Sequence, residues 1–461
     1  MISLRLLLLV LLTLGCREWA EVNRQVVPMW AGLAAIGVSL GFGLLFKFSA
    51  LRLLTSDLAA IRNAVAERHR TGNLSALGAS RRCERARNWV ETAWLVALPL
   101  ALLATGWGPA LNSLQAAGLP QVVAVLGWFL PSLVLIMLLE LTAAQFDELC
   151  HNDAPARSAW PREWLLRMRL GQMASLVTCL TPLLFIAAVT DLVQAYGLNV
   201  HASRIVLAAT LIAIGCVVLF LPMWLGKWMG VTEFPEGELR RRIETQLSGL
   251  RLRGIGLRML RSEGRWPGAA IVGWFPCFRQ LWLGDALIER LTPQQLDMVI
   301  MHELAHVTGW HFLWRVFPMA WAGGVAVFFG AFWPPAEELR LVGLLIGGAV
   351  ACTIMLFGMS LMAHQCELEA DVSACQLAEQ VCHWTRTAAV PEQTEPGPPQ
   401  NIVEQNLPPQ HQSPQRRARR ELAGALVCLL GDSPQAAAVS WLHPSLQQRL
   451  KNLRWRRLPV N

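Results

Sequence analysis

Charged residues are scarce in this chain, and tyrosine is almost absent. Asp, Glu, Lys and Arg make up 16% of the 461 residues, and Tyr196 is the one tyrosine. An ordinary soluble domain carries about 25% charged residues. This shortage argues against a soluble globular enzyme and against a disordered chain. Because 54% of the residues are hydrophobic, the composition indicates a protein that crosses a membrane several times.

The sequence also lacks the motifs of several kinds of site. Its 11 cysteines form no CxxC pair, which argues against a cysteine-based zinc site and against a disulfide-rich secreted scaffold. No glycine-rich phosphate loop, internal repeat or Ser/His/Asp arrangement is recognisable in the chain. The chemistry must therefore be sought among histidines and carboxylates.

Seven long stretches contain no Asp, Glu, Lys or Arg at all. A bilayer core about 30 Å thick needs roughly 20 apolar residues in a helix, and each stretch is about that long. The predicted spans are 28–46, 93–111, 122–139, 172–190, 205–225, 316–334 and 341–363.

Lys and Arg residues alternate between the segments on the two sides of the predicted spans. Segments 47–92, 140–171, 226–315 and 364–461 hold 35 of the 40 Lys and Arg residues. Positively charged loops stay on the cytoplasmic side of a membrane. We therefore predict a multi-pass protein of the cell membrane with these segments in the cytoplasm. The topology accounts for the net charge of +8 and needs no nucleic-acid partner.

These patterns predict a domain organisation. Residues 1–16 predict a signal peptide or a short first span, and residues 28–225 a membrane region of five spans with cytoplasmic loops. We predict that residues 226–315 and residues 364–461 together form one catalytic domain in two parts. The two-span hairpin 316–363 joins them.

The two polar parts have recognisable local patterns. In 226–315, an amphipathic helix, three short strands and a helix over about 293–314 are predicted, and Thr292 caps the last helix. In 364–461, the Pro- and Gln-rich segment at about 384–415 is predicted to be a disordered insertion. Short helices at about 418–431 and 444–455 close the chain.

The motif His302-Glu303-Leu304-Ala305-His306 (HELAH) carries the most specific chemical signal. On a helix, residues i and i+4 share one face, so both imidazoles can bind one zinc ion. The adjacent Glu303 can take a proton from a zinc-bound water. A hydrolytic zinc site needs a third protein ligand and keeps its fourth position for water.

Candidates for the third ligand are Glu367, Glu369, Asp371, His311 and His364. His311 lies one residue before the position that a third histidine occupies in the metzincin pattern. The two-span hairpin returns the acidic motif ELEAD to the side of the membrane that holds HELAH. Glu367 and Asp371 share a helix face, and Glu369 points away. We therefore predict Glu367 as the ligand and Asp371 as an acceptor for a ligand imidazole.

HELAH followed by two spans and ELEAD resembles the gluzincin membrane zinc metalloproteases that include HtpX and the CAAX prenyl endopeptidases. The resemblance covers about 240–455 and includes His443-Pro444-Ser445 followed by Arg449. It departs from the family pattern at Ala269-Ala270, where Asn-Ala is frequent, and this puts one polar substrate contact in doubt.

The resemblance implies a fold and a set of roles. The fold would be predominantly α, a polytopic membrane helical bundle with a cytoplasmic zincin-like α+β catalytic domain. His302, His306 and Glu367 would bind one zinc ion per chain, and Glu303 would be the general base. His443 and Arg449 would lie near the substrate carbonyl or the oxyanion, where N–H donors stabilise a tetrahedral intermediate.

We therefore expect an integral membrane zinc endopeptidase that cleaves peptide bonds at the cytoplasmic membrane face. We expect its substrate to be a membrane-associated protein or peptide, held by β-addition to the exposed strand around Arg279–Leu283. The alternatives are a metalloprotease-like sensor, a non-catalytic scaffold or transport protein, and an intramembrane protease of the site-2 type. Quality control and processing of one specific precursor both fit the sequence, and the oligomeric state stays open.

Overall fold

The computed structural model describes the greater part of the chain. It covers residues 4–22, 34–52, 77–151, 172–195, 222–252, 254–262, 266–273, 275–331, 340–382, 413–430 and 442–455, with a few single positions between 164 and 220. The chain forms two compact units, Met1–Gly230 and Val231–Asn461.

The first unit is a bundle of helices around an aromatic and aliphatic core. Its first helix continues past the predicted end at residue 16, and Leu6, Leu9 and Cys16 on it are buried in that core. A short π-helical turn, Leu100–Ala104, follows the third helix. The helices are α1 (Leu4–Val22), α2 (Ala34–Arg52), α3 (Leu77–Pro99), α4 (Trp107–Ala116), α5 (Gln121–His151) and α6 (Gln172–Ala195).

Two polar pairs link α3 and α5 inside this bundle. Arg87 on α3 donates hydrogen bonds to Glu91 at 2.8 Å and to Glu140 on α5 at 2.7 Å. The indole N–H of Trp94 donates to the hydroxyl of Ser132 at 3.1 Å. Because a buried charge or indole N–H without a partner is costly, these pairs fix how α3 and α5 face each other.

Within the described ranges, five helices are long and apolar enough to cross a membrane by length and composition. They are Ala34–Arg52, Gln121–Gln145, Ser175–Ala195, His311–Phe329 and Ile346–Val381. Each overlaps one of the predicted spans, and the expectation of a predominantly helical, multi-pass membrane protein is confirmed. The predicted span 205–225 lies largely outside the described residues.

The chain is bent within the predicted span 93–111. The chain forms two helices there, Arg85–Ala104 and Trp107–Ala116, bent by 47° relative to each other. The break lies at Gly106, whose φ of 80° is a left-handed conformation that glycine adopts without a Cβ clash. If this bent pair of helices counts as one span, the described residues contain six candidate spans.

The second unit combines a small sheet with helices. It contains no part of α1 to α6 and includes two of the five apolar helices. Its elements are β1 (Val231–Glu233), α7 (Glu238–Gly249), β2 (Gly256–Leu260), β3 (Ala269–Val272), β4 (Gln280–Gly284), α8 (Asp285–Arg290), α9 (Pro293–Thr308), α10 (His311–Ala331), α11 (Arg340–Val381), α12 (Pro414–Leu430) and α13 (Leu446–Trp455).

The sheet has the strand order β1-β2-β4-β3. β2 and β4 are parallel, with Arg258 opposite Trp282, and the other two pairs are antiparallel. The expectation that the strand around Arg279–Leu283 is exposed is wrong, because β4 lies between β2 and β3. The strand with a free edge on this side of the sheet is β3.

α9 begins where the sequence predicts and ends earlier. The hydroxyl of Thr292 accepts from the backbone N–H of Gln295 at 3.3 Å, and the side chain of Gln295 accepts from the N–H of Thr292 at 3.2 Å. The predicted helix over 293–314 is in fact two helices, α9 and α10. The break follows from Trp310, whose φ of 53° cannot continue a right-handed helix.

Small side chains let α9 and α11 pack closely. Ala370, Ala374 and Ala378 recur at four-residue spacing on α11 and are fully buried. Ala374 and Ala378 belong to one apolar core with residues of α9 such as Met298 and Ile300. Interhelical distance depends on side-chain size at the contact, so this alanine stripe brings the two backbones near each other.

α11 is long enough to do more than cross a bilayer. It has 42 residues, and at 1.5 Å per residue it is roughly 63 Å long. A span takes about 20 residues, so the helix continues well beyond a membrane and carries ELEAD on its extension. The predicted insertion at about 384–415 lies almost entirely outside the described residues, and α12 begins at its end, at Pro414.

The cap of α9 can be tested by substitution. We expect Thr292→Ala to lower the unfolding free energy by about 1 kcal/mol, because the N–H of Gln295 loses its acceptor. Thr292→Ser keeps the hydroxyl and is the matched control. Thermal unfolding in detergent, followed by circular dichroism, measures both variants. Equal stability of Thr292→Ala and Thr292→Ser would contradict the assigned cap.

Candidate metal centre

His302 and His306 lie one turn apart on the buried part of α9. Their ring centroids are 4.9 Å apart, and the rings are nearly perpendicular. The Nε2 atoms of both rings face the carboxylate of Glu367 on α11. His302 Nε2 is 3.6 Å from Oε2, and His306 Nε2 is 3.5 Å from Oε1. These three residues offer ligand atoms that all lie within 4.8 Å of one another.

Asp371 lies one turn after Glu367 on the same face of α11 and is fully buried. Its Oδ1 is 3.0 Å from Nδ1 of His302, the ring nitrogen that points away from Glu367. Arg449 on α13 donates two hydrogen bonds to Asp371, at 2.5 Å and 2.9 Å. Asp371 therefore holds one imidazole and is itself held by a guanidinium.

Two further groups approach the carboxylate of Glu367. Arg315 on α10 donates to its Oε1 at 2.9 Å, and His443 Nδ1 lies 3.3 Å from its Oε2. Arg449 lies farther away, at 3.8 Å. Sequence reasoning missed Arg315, because no local motif marks it. Its position as the last basic residue before an apolar stretch is the one available signal.

The remaining candidates for the third ligand lie elsewhere. His311 packs on His306, and its Nδ1 is 2.8 Å from Nδ1 of that ring. Glu369 is turned outward with 61% of its side chain exposed. Among the described residues, one group of His, Cys, Asp or Glu side chains has metal-binding geometry, and it contains neither His364 nor Asp371.

Glu303 lies between the metal-binding group and the free edge of the sheet. The backbone N–H of Ile271 on β3 donates to its carboxylate. Burial and the neighbouring Glu367 raise the pKa of Glu303 to about 7, although His302 and Ile271 oppose the shift. A carboxylate with a pKa near neutrality is suited to accept a proton and to release it again.

The two imidazoles differ in their protonation. Burial acts to lower the pKa of His302, but the hydrogen bonds with Asp371 and Glu367 outweigh it and raise the pKa to about 9. Burial and the positive charge of His302 hold the pKa of His306 well below its ordinary value. Both imidazoles must be unprotonated at the nitrogen that binds a metal ion, so metal binding would release the proton that His302 holds in the absence of the ion.

The donor set fits a zinc ion. Two imidazole nitrogens and one carboxylate oxygen converge, and this combination is one of the known ligand sets of hydrolytic zinc sites. Each of the three residues also has an outer partner that orients it. Softer metals prefer sulfur ligands, and no described cysteine belongs to the group.

The contact of Asp371 with His302 gives a measurable expectation. We expect Asp371→Leu to weaken zinc binding by about 10- to 100-fold, because His302 loses the acceptor that fixes its ring. Asp371→Asn has the same shape and keeps an oxygen acceptor, so its loss should be smaller. Competition with a chelator of known zinc affinity measures both. An unchanged zinc affinity in Asp371→Leu would contradict the orienting role.

The chain is similar in part to a known protein family. Residues 240–457 match the family model of peptidase family M48. No curated protein sequence matches the chain. The fold aligns with the crystal structure of S. mikatae Ste24p over 93% of this chain and 100% of that chain, at 15% identity and a TM-score of 0.44.

An alignment this loose supports no conclusion about the site, so the family assignment rests on the sequence match. That match spans α7 to α13 and therefore includes both helices that bear the metal-binding group. The resemblance to the membrane metalloproteases that HELAH and ELEAD indicate is confirmed by the match of residues 240–457 to the model of peptidase family M48.

Proposed function

We propose that this chain is an integral membrane zinc metalloendopeptidase that cleaves peptide bonds at the cytoplasmic face of the membrane. One observation carries the proposal: Glu303 lies beside a buried group of two imidazoles and a carboxylate that suits zinc. His302, His306 and Glu367 would hold the ion. When bound, zinc supplies Lewis acidity that polarises a carbonyl and acidifies a water molecule.

The proton transfers fall to Glu303. With a pKa near 7, its carboxylate accepts a proton from the attacking water and returns it to the departing amine. Glu303 is not part of the ligand group, so it stays free for this task. General-base catalysis of this kind contributes about 10²- to 10⁴-fold to the rate.

Arg449 and His443 differ in how far they are available to a substrate. Arg449 is buried and bound in two hydrogen bonds to Asp371, which favours a role in holding Asp371. His443 is partly exposed, with 30% of its side chain accessible, and faces the centre through Glu367. Of the two residues that the resemblance implies for the oxyanion, we therefore favour His443.

The free edge of β3 supports a binding mode for the substrate. The N–H of Ile271 points away from β4 toward Glu303, since it donates to that carboxylate. An extended peptide that pairs with this edge would pass directly by the proposed base. Strand addition satisfies main-chain groups whatever the side chains are, so it suits a peptidase of broad substrate range.

A non-catalytic scaffold is the second candidate. Such a protein has no need of a buried Glu303 carboxylate beside three convergent ligands, which is why we favour the enzyme. The charge pattern supports the cytoplasmic side of the membrane, because four segments on one side of the predicted spans hold 35 of the 40 Lys and Arg residues.

The catalytic proposal can be tested on the base alone. We expect Glu303→Gln to reduce the cleavage rate of quenched fluorescent peptides by about 10²- to 10⁴-fold, because the amide cannot accept a proton. Its zinc content should equal that of the wild type. Glu289→Gln, on the exposed surface of α8, is the control and should keep full activity. A fully active Glu303→Gln protein would contradict the mechanism.

The proposed side of the membrane is tested with Cys277, an exposed cysteine in the second unit. In a variant that keeps Cys277 as its one cysteine, a membrane-impermeant maleimide should label inverted vesicles and leave intact cells unlabelled. Labelling of intact cells would place the domain on the outer side. Permeabilised cells provide the control for accessibility.

A further inference from the structure

His311 begins α10, and its ring packs directly on the ring of His306. The two Nδ1 atoms are 2.8 Å apart, and the ring centroids 4.9 Å. Only 1% of His311 is exposed. Two ring nitrogens at this separation must share one proton, because two donors would repel and two acceptors would leave the contact without a hydrogen.

The direction of this hydrogen bond follows from the neighbouring ring nitrogen. Nε2 of His306 faces Glu367 at 3.5 Å, and a nitrogen that binds a metal carries no proton. A neutral His306 that serves as ligand therefore has its proton on Nδ1. It follows that His306 donates to Nδ1 of His311, and that His311 carries its own proton on Nε2.

The far side of His311 agrees with that tautomer. Its Nε2 lies 3.7 Å from Oε2 of Glu369, the ELEAD carboxylate that does not face the metal-binding group. The distance is too long for a good hydrogen bond, but a negative charge there stabilises an N–H that points toward it. Both acidic residues that flank Leu368 thus have a histidine neighbour on the preceding helices.

The backbone between α9 and α10 is shaped to admit this ring. Gly309 has ordinary helical angles, φ −80° and ψ 0°, so no conformational demand explains a glycine there. A Cβ at that position would overlap Nε2 of His311. Trp310 then takes a left-handed φ of 53°, which a bulky residue adopts at some cost. Both features serve to fold His311 back over the end of α9.

We propose that His311 is a positioning residue, which accepts a hydrogen bond from His306 and thereby fixes the tautomer and ring orientation of that metal ligand. The inference rests on the proposed zinc site. Metal-binding histidines usually donate their second N–H to a carboxylate or a carbonyl. His302 follows this rule through Asp371, and His306 uses a second imidazole instead.

The test compares two variants of nearly equal shape. His311→Asn places an amide oxygen where Nδ1 was and keeps an acceptor for His306, whereas His311→Leu fills the same space without one. Zinc affinity is measured on the full-length chain in detergent by competition with a chelator. We expect His311→Leu to bind zinc about 10- to 100-fold more weakly and His311→Asn to stay within a few-fold of the wild type.

A glycine substitution tests the same contact from the backbone. Gly309→Ala should weaken zinc binding, because the new methyl group displaces the ring of His311. In the His311→Asn background the shorter side chain leaves room, so there Gly309→Ala should have little effect. If His311→Leu does not fold, His311→Gln replaces it, since its amide lies one bond too far to accept from His306.

The outcomes separate this inference from the proposed function. A wild-type chain that binds no zinc would refute the metalloprotease proposal. A wild-type chain that binds zinc, together with equal affinities in His311→Leu and His311→Asn, would refute the positioning role alone. Equal losses in the two variants would also refute it, since they would mark a contribution from ring packing and not from the hydrogen bond.

Discussion

The close contact between α9 and α11 is the constraint on which the candidate site depends. Two imidazoles on one helix and a carboxylate on the other can share an ion only if the helix backbones stay a fixed, short distance apart. The buried Ala374 and Ala378 of α11, which share an apolar core with α9, permit that distance. A larger side chain in this stripe would push Glu367 away from both histidines, however well each helix formed on its own.

Around this contact, the buried polar groups form one connected set. Asp371 contacts both His302 and Arg449. Glu367 faces both imidazoles and accepts a hydrogen bond from Arg315, and the ring of His306 contacts the ring of His311. Charges taken out of water are tolerated when they are paired and hydrogen-bonded, so each member limits the positions of the others. The site is consequently held mainly by helices from four places in the sequence, α9, α10, α11 and α13.

The sequence predicted those parts of the fold and site that depend on periodicity and capping. The spacing in HELAH predicts that His302 and His306 share one helix face, and the two-span hairpin predicts that Glu367 lies near them. Thr292 marks the start of α9. The chemical roles of these residues stay predictions. The features that depend on packing between distant parts of the chain could not be predicted from the sequence. Three short strands do not reveal that β4 is internal, and a continuous apolar pattern hides the break at Trp310. Arg315 reaches Glu367 only because α10 packs along α11.

X-ray absorption at the zinc edge of the purified chain tests the central claim most directly. The account predicts about one zinc per chain, surrounded by nitrogen and oxygen atoms at about 2.0–2.1 Å, with the scattering pattern of two imidazoles. The imidazole signal should fall by half in His306→Ala. Sulfur neighbours at about 2.3 Å, or no zinc bound above background, would contradict a site made of His302, His306 and Glu367.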